Sequence, residues 1–413
     1  MLSTQQVTAE VSKPLTFEEL ILPMSVDEFL NEFWQKRPCY VHGPQEKFER
    51  LFSWNDLNHL LETHHFSYPR LRMSKDGIEV PPTQYTETLR FTKATRADAW
   101  ALNREIAAGA SLILLHADEF HARLQSLANA LTSALGWYSE VEVIAGLGSS
   151  NALPVHFDSN DCLVFQIQGT KRWHFYAPTR PTPLRPSKIF PERYDTMPTP
   201  KPNEVQSTVT FEVTAGDFAY IPRGWWHLVE PLPGPCLSLN PTVFTGTMQD
   251  LVRWLVNELS VEEIWRLAIP TGVPEQQSAL KRLAAVINRA LTPEAILQFR
   301  RFMLNEMEAR PSLSLPDSAT QGQRLTPSST VLVSGGQVVH VTTDSASTVF
   351  RVRWRGRDFH FERQHLEVFR RLNDGHRHEV SDLLAPYSSN EARIGTMAFL
   401  LSLRKEGILA ATP

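Results

Sequence analysis

The chain has 413 residues, more than one hydrophobic core comfortably serves, so two or three domains are expected. It is 42% hydrophobic, 21% charged and 10% aromatic, with a formal net charge of −4, which excludes a disordered or fibrous chain and gives no global reason to expect nucleic acid as the main partner. No apolar run approaches the roughly 20 residues of a membrane helix, the opening MLSTQQVTAEVSKPLTFEEL lacks a secretory pattern, and three scattered cysteines (Cys39, Cys162, Cys236) exclude a disulfide framework and a CxxC zinc site and fit a reducing cytosol.

In chain order, SVDEFLNEFWQKRP (25–38) predicts a helix with Phe29, Phe33 and Trp34 near one face and Pro38 as its stop. CYVHGP follows as strand and turn, and residues 48–65 resume helical spacing. The aromatic stripe reads as core, and the adjacent His64 and His65 as a solvated helix end. Residues 66–136 mix short strands (66–73, 87–92) with amphipathic helices (96–109, 117–136), and ASLILLH (110–116) predicts a buried strand.

Residues 140–245 change character. Short apolar runs, EVEVIAGL, CLVFQIQG, KRWHFYAP, VTFEVTAG, DFAYIP and CLSLNPTVF, are separated by Gly, Pro and charged turns, the spacing of an antiparallel sandwich or barrel. A Pro-rich insertion over 177–203 predicts a long loop, of the kind that serves as a lid or binding edge. After 245 come three or four amphipathic helices up to about 309, then a Ser/Pro/Gln-rich linker over 311–329. The last segment predicts two strands (330–343, 348–362) and three short helices, a small α+β unit resembling a winged helix.

Chemistry concentrates at His156-Phe157-Asp158 and at His227, 71 residues beyond His156. In extended chain, residues i and i+2 point to one side, so His156 and Asp158 aim an imidazole and a carboxylate at a common centre. A second imidazole from a neighbouring strand, His227, would complete a facial triad, the donor set that favours non-haem Fe(II). Neither a three-histidine set nor a helical HExxH of the zinc hydrolases is present. Lys171 follows Asp158 by 13 residues, and a lysine pointing into a barrel needs an anion. CLSLNP (236–241) offers Ser238 and Asn240 to the same cavity.

HFDSNDCLVFQIQGTKRWHFY together with GDFAYIPRGWWHLVEP resembles the JmjC-type, cupin-like 2-oxoglutarate oxygenases, and the whole chain looks like their ribosomal oxygenase group. The resemblance implies an α+β chain built on a double-stranded β-helix (the JmjC or cupin barrel), with N-terminal helices, a helical dimerisation segment and a C-terminal winged-helix-like domain. The domains would be 1–90, packing on the barrel; 91–245, catalytic; 246–310, helical; and 311–413, linker and winged-helix-like unit. It implies Fe(II) held by His156, Asp158 and His227, and 2-oxoglutarate held by Lys171 with Ser238 and Asn240 lining its pocket. O2 is the third reactant, and the partner is a protein or peptide, a ribosomal protein in first place with Arg or His as target. A homodimer is implied; a membrane is not, and nucleic acid is not expected. Phe157, Phe165, Trp173, Tyr220, Trp225 and Trp226 are candidates for a water-excluding wall.

In one place this chain departs from the group. A Tyr and a Thr usual in the strand before HxD are replaced by Ile144 and Gly146, so that wall reads as less polar, with Ser149, Ser150 or Asn151 as compensation. Substrate rivals are a biosynthetic peptide or small-molecule intermediate, and an N-methyl-lysine demethylated through hydroxylation; a binding module without turnover is the rival of a different class. The alternating Arg351, Arg353, Arg355 and Arg357 read as a solvated or domain-packing stripe on one strand, and His376 and His378 as a surface turn.

Overall fold

The computed structural model describes residues 15–146, 152–184, 207–306, 325–333, 339–343, 347–354, 357–374 and 376–412. Ser149, Ser150 and Asn151, most of the 177–203 insertion, most of the 311–329 linker, and Arg355 therefore lie outside the described residues. The chain divides into two compact units, Met1–Thr245 and Gly246–Pro413.

In the first unit, Ser25 caps a helix at Val26–Glu28 that continues as a π-helical turn, Phe29–Phe33. It ends earlier than Pro38 demanded, because Gln35 takes a left-handed φ of 58° and its amide is drawn to Tyr220 Oη at 2.8 Å. The helix expected over 48–65 also begins late, at Trp54, where the Ser53 hydroxyl accepts the Asp56 amide. The strands in order are β1 (Cys39–Val41), β2 (Leu71–Lys75), β3 (Ile78–Glu79), β4 (Thr86–Thr88), β5 (Thr95–Ala97), β6 (Ser111–Leu114) and β7 (Ser139–Gly146). There follow β8 (Asp161–Gln168), β9 (Lys171–Tyr176), β10 (Val209–Val213), β11 (Phe218–Ile221), β12 (Trp226–Pro231) and β13 (Cys236–Val243).

These strands make an eight-stranded antiparallel sheet, β1-β11-β8-β13-β7-β6-β2-β3, a three-stranded one, β10-β9-β12, and a separate β4-β5 pair. Side-chain alternation explains how the two are held together. On β8, Leu163, Phe165 and Ile167 face the helices and join the main core with Phe29, Phe48 and Phe218. Val164, on the other face, packs with Ala219 and Ile221 of β11 against Trp173, Phe175 and Val213 of the small sheet. Being apolar on both faces, β8 reads as one continuous run, CLVFQI, rather than as an alternation.

Two buried carboxylates tie the barrel to its surroundings. Asp161 accepts the Tyr220 hydroxyl at 2.6 Å and the Thr245 hydroxyl at 2.9 Å. Asp217 accepts from Tyr40 Oη, from Thr214 backbone and hydroxyl and from His42 Nδ1, all at 2.8 Å, and from the Gly43 amide at 3.1 Å.

The second unit opens with helices at Met248–Glu258, Glu263–Arg266, Val273–Ala290 and Pro293–Glu306. The two strands expected over 330–362 are four: β14 (Thr330–Val333), β15 (His340–Thr343), β16 (Val349–Trp354) and β17 (Arg357–Glu362). β15, β16 and β17 form a meander, whereas β14 pairs with β18 (His378–Glu379) and β19 (Leu409–Thr412). The arginine stripe does not lie along one strand, because β16 ends at Trp354 and Arg357 sits opposite it on β17. Arg353 is ion-paired to Glu306 and, at 3.0 Å, to Asp358, whose carboxylate also lies 3.9 Å from Arg351. Paired arginines on a packed strand do not offer a free cationic face.

Candidate metal centre

His227 lies on β12, and His156 lies in the extended stretch before β8. The two backbones form an antiparallel bridge, His227 N to His156 O at 2.8 Å and His156 N to His227 O at 3.2 Å. That bridge brings the two imidazole centroids to 4.2 Å. The Gly224 amide donates to the Asp158 carbonyl at 2.8 Å and fixes the third member. One ligand atom from each of His156, Asp158 and His227 then falls within 4.8 Å of the others.

The protonation pattern suits a metal. His156 Nδ1 lies 2.8 Å from the Pro154 carbonyl and His227 Nδ1 3.1 Å from the Trp225 carbonyl. A carbonyl only accepts, so each Nδ1 carries a proton, which leaves Nε2 as the ring nitrogen that can ligate. Burial, with His156 beside it, holds the His227 imidazole well below its usual pKa, in the neutral form that ligates. His227 Nε2 is 3.7 Å from Asp158 Oδ2, room for an ion between them rather than a hydrogen bond. Two imidazoles and one carboxylate on a shared face fit a divalent first-row ion with open positions.

The triad opens on a cavity of about 430 Å³ between the two sheets. Lys171 and Trp173 of β9 line it opposite Asn240 of β13. Lys171 is buried, its ammonium pKa lowered by burial, and among the described residues no carboxylate lies within ion-pair distance of it. Its Nζ donates to Ser238 Oγ at 2.9 Å, and that hydroxyl donates to Asn240 Oδ1 at 2.7 Å. Lys171 and Asn240 line the cavity, with Ser238 buried behind them.

The aromatic wall is smaller than expected. Only Trp173 of the six candidates lines the cavity, its ring 5.8 Å from that of His227. Phe165 and Tyr220 belong to the helix-facing core, Trp225 packs behind the inter-sheet core, and Phe157 meets Trp226 edge-on at 4.7 Å. Period-2 alternation placed these rings on one face or the other; sheet packing decided which face was inside.

The wall read as depleted is acidic. Glu140, Glu142, Ile144 and Gly146 all line the cavity from β7. The alternation that singled out Ile144 and Gly146 extends back to both glutamates, so the signal was present in EVEVIAG. Glu140 pairs with His116 Nδ1 at 3.0 Å. Burial pushes the Glu142 carboxyl up to about 8, with Glu140 and Asp158 adding to the effect.

Residues 114–251 match the model of the JmjC domain. Ribosomal oxygenase 2 of Rattus norvegicus is 26% identical over 313 residues, covering 73% of this chain and 62% of that protein. The chain thus spans less than two thirds of that relative's length. The bifunctional lysine-specific demethylase and histidyl-hydroxylase NO66 of Drosophila persimilis is 27% identical over 218 residues, 51% of this chain and 29% of that one. Among solved structures, YcfD from Escherichia coli, described as a ribosomal oxygenase in complex with cobalt and 2-oxoglutarate, superposes with a TM-score of 0.55 at 15% identity. That superposition covers 95% of this chain and 99% of YcfD, and shows a shared fold. The stretch that matches the JmjC domain model carries the HxD…H cluster, and in its relatives the chain is similar to the ribosomal oxygenases.

Proposed function

We propose that the protein is an Fe(II)- and 2-oxoglutarate-dependent oxygenase that hydroxylates a side chain of a ribosomal protein. The observation that carries this reading is the convergence of the His156–Asp158–His227 cluster and the buried, carboxylate-free Lys171 in one cavity. His156, Asp158 and His227 would hold the metal, and Lys171 would pair with the distal carboxylate of 2-oxoglutarate. Ser238 aims the ammonium, and Asn240 holds Ser238 in turn. The chemistry that Fe(II), 2-oxoglutarate and O2 supply together when bound is insertion of one oxygen atom into an unactivated C–H bond. Trp173 and Ile144 keep water from the reacting atoms.

The rat relative's name supports a ribosomal substrate and the fly relative's name supports His as target, with Arg kept as the other candidate from the resemblance. The test is release of succinate from 2-oxoglutarate by the Fe(II)-loaded protein with purified ribosomes, alongside intact-mass measurement of the ribosomal proteins. Turnover with one protein gaining one oxygen atom's mass supports the reading. Absence of any 2-oxoglutarate turnover overturns it. The fly relative's name also favours a second reading, lysine demethylation, which formaldehyde release would reveal. Turnover without ribosomal modification would point to a dedicated peptide or small molecule.

For the rest of the chain we keep the division into 1–90, 91–245, 246–310 and 311–413, with a winged-helix-like end and a dimer formed through 246–310. Support for the dimer comes from exposed Val252 and Val256, one turn apart on the helix Met248–Glu258, and from exposed Leu280 and Leu297. Light scattering of the full chain should give a dimer, and Val252→Asp with Val256→Asp a monomer. The free thiols Cys39, Cys162 and Cys236 support a cytoplasmic setting. No helix among the described residues is long and apolar enough to cross a membrane.

A further inference from the structure

We infer that Cys236 is a reversible oxidation site of the cavity: peroxide converts its thiol to a sulfenic acid, which occupies Lys171 and shuts out 2-oxoglutarate until a small thiol reduces it. The inference rests on the functional reading above for the ligand of Lys171 and adds a regulation of that site.

The three thiols are free, but their surroundings differ. Cys39 lies in the helix-facing core, where burial pushes its thiol up to about 12. Cys162 lines the cavity, yet burial, with Asp158 and Glu142 adding to it, holds its thiol well above the usual value. A thiol kept protonated in this way attacks peroxide poorly. Cys236 lines the cavity from the other end of β13, since Cys162 pairs with Thr242. Its neighbours are donors instead of carboxylates. The Gly169 turn presses the start of β9 onto it, so that a Cβ added at Gly169 would lie 3.1 Å from Cys236 Cβ, and Lys171 opens the strand just beyond. Lys171 is close enough for charge on the sulfur to favour its ammonium form, and it donates to Ser238, two residues along β13. Gln166 Nε2 lies 2.9 Å from Cys236 Sγ. An ammonium and an amide donor stabilise the negative charge carried by a sulfur that attacks peroxide.

The Gln166 amide supplies a second observation. The residue is fully buried, and its Oε1 meets no donor among the described residues. Buried acceptors rarely stay idle, and a hydroxyl on the neighbouring sulfur would fill this one. The sulfenic O–H would donate to Gln166 Oε1 while its oxygen accepts from Lys171 Nζ. In the forward step the Cys236 sulfur attacks one oxygen of hydrogen peroxide. The S–O bond forms, the O–O bond breaks, and the departing hydroxide takes the thiol proton and leaves as water. Sulfur loses two electrons and the peroxide gains them. Reversal consumes two equivalents of a small thiol: the first displaces the oxygen as water and leaves a mixed disulfide, and the second releases Cys236 as the thiol. Lys171 cannot serve both the sulfenic oxygen and the distal carboxylate of 2-oxoglutarate, so oxidation and cosubstrate binding exclude each other.

The test uses the full chain, kept metal-free during oxidation so that no bound metal generates other oxidants. Hydrogen peroxide is applied and then removed with catalase, Mn(II) is loaded, and 2-oxoglutarate affinity is measured by calorimetry. Parallel samples are trapped with dimedone, which captures sulfenic acids, and mapped by peptide mass spectrometry. The oxidised wild type should carry the adduct at Cys236 and bind 2-oxoglutarate at least about tenfold more weakly than the reduced protein, and dithiothreitol should restore the affinity. Cys236→Ala should bind 2-oxoglutarate within about twofold of the reduced wild type and ignore peroxide, whereas Cys162→Ala should stay sensitive. Saturation with Mn(II) and 2-oxoglutarate beforehand should slow labelling of Cys236. An unlabelled Cys236, a labelled one with undiminished affinity, a loss that dithiothreitol does not restore, or a loss that persists in Cys236→Ala would each overturn the inference. Failure of the reduced wild type to bind 2-oxoglutarate would instead overturn the functional reading. The wild-type mapping and affinities stand even where the variants do not fold.

Discussion

Lys171 Nζ donates a 2.9 Å hydrogen bond to Ser238 Oγ across the gap between the two sheets, 67 residues apart in the chain. The bond leaves the ammonium's remaining donors for the cavity, where no described carboxylate meets them. An ammonium left uncompensated in this way is an anion site with one unfilled position.

Replacing it should therefore be felt by the cosubstrate first. Lys171→Ala is expected to weaken 2-oxoglutarate binding to the Mn(II)-loaded protein by about 10- to 100-fold, the scale of one charge-assisted hydrogen bond. Metal content should not change. Calorimetry with 2-oxoglutarate, beside elemental analysis of the same sample, measures both quantities. Undiminished 2-oxoglutarate affinity would remove Lys171 from the pocket.

At the metal, Asp158→Ala takes away the only anionic donor of the cluster. Affinity for a divalent ion should fall by roughly 100-fold or more, since two neutral imidazoles alone leave the charge unbalanced. Competition with a chelating dye reads this directly. The fold should survive, because the Asp158 backbone, not its side chain, receives the Gly224 amide.

The turn that brings β8 back as β9 depends on Gly169, at φ +75° and in close approach to the Pro235 carbonyl and Cys236 Cα. A Cβ there meets both the left-handed backbone penalty and a rigid neighbour. Gly169→Ala should cost on the order of 2–4 kcal/mol in denaturant unfolding. It should also weaken 2-oxoglutarate binding, because Lys171 is the first residue of the strand that the turn feeds.

Asp217 predicts an acid limit to stability. Burial pushes its carboxyl up, but donors from Thr214, Tyr40 and Gly43 outweigh burial and hold it below the usual range. A carboxylate whose folded pKa lies below its unfolded one stabilises the fold above about pH 4 and loses that contribution as pH falls through the folded value. Stability should accordingly decline below about pH 4, and Asp217→Ala should flatten that part of the profile while costing on the order of 3 kcal/mol at neutral pH. An unchanged acid profile in the variant would assign the acid limit to other groups.

Much of this protein is legible one residue at a time. The apolar runs between 140 and 245 mark the barrel strands because strand burial leaves a local pattern of branched and aromatic residues. His156 and Asp158 announce themselves because alternate residues in extended chain share a side, a relation that needs no knowledge of the rest of the fold. Ser238 and Asn240 are visible as polar groups in an otherwise apolar strand, and Lys171 as the lysine that opens the second strand after HxD. Helix limits were less legible. The Ser53 cap and the pull of Tyr220 on Gln35 decide where two helices start and stop, and the second depends on a residue 185 positions away.

What the tertiary structure alone decided is which side is inside. Alternation says that Phe165 and Val164 point oppositely, but only the packing of the helices on one face and the small sheet on the other sends Phe165 to the core. The same rule ties Glu142 to Ile144 and Gly146, and only the arrangement of β7 beside β13 turns all three towards the cavity. Arg351 to Arg357 looked like one stripe because strand propensity runs on across the place where β16 ends and β17 begins. Local spacing records the relative orientation of neighbours; the absolute direction of a side chain is set by distant segments that pack against it, and no short stretch of sequence contains them.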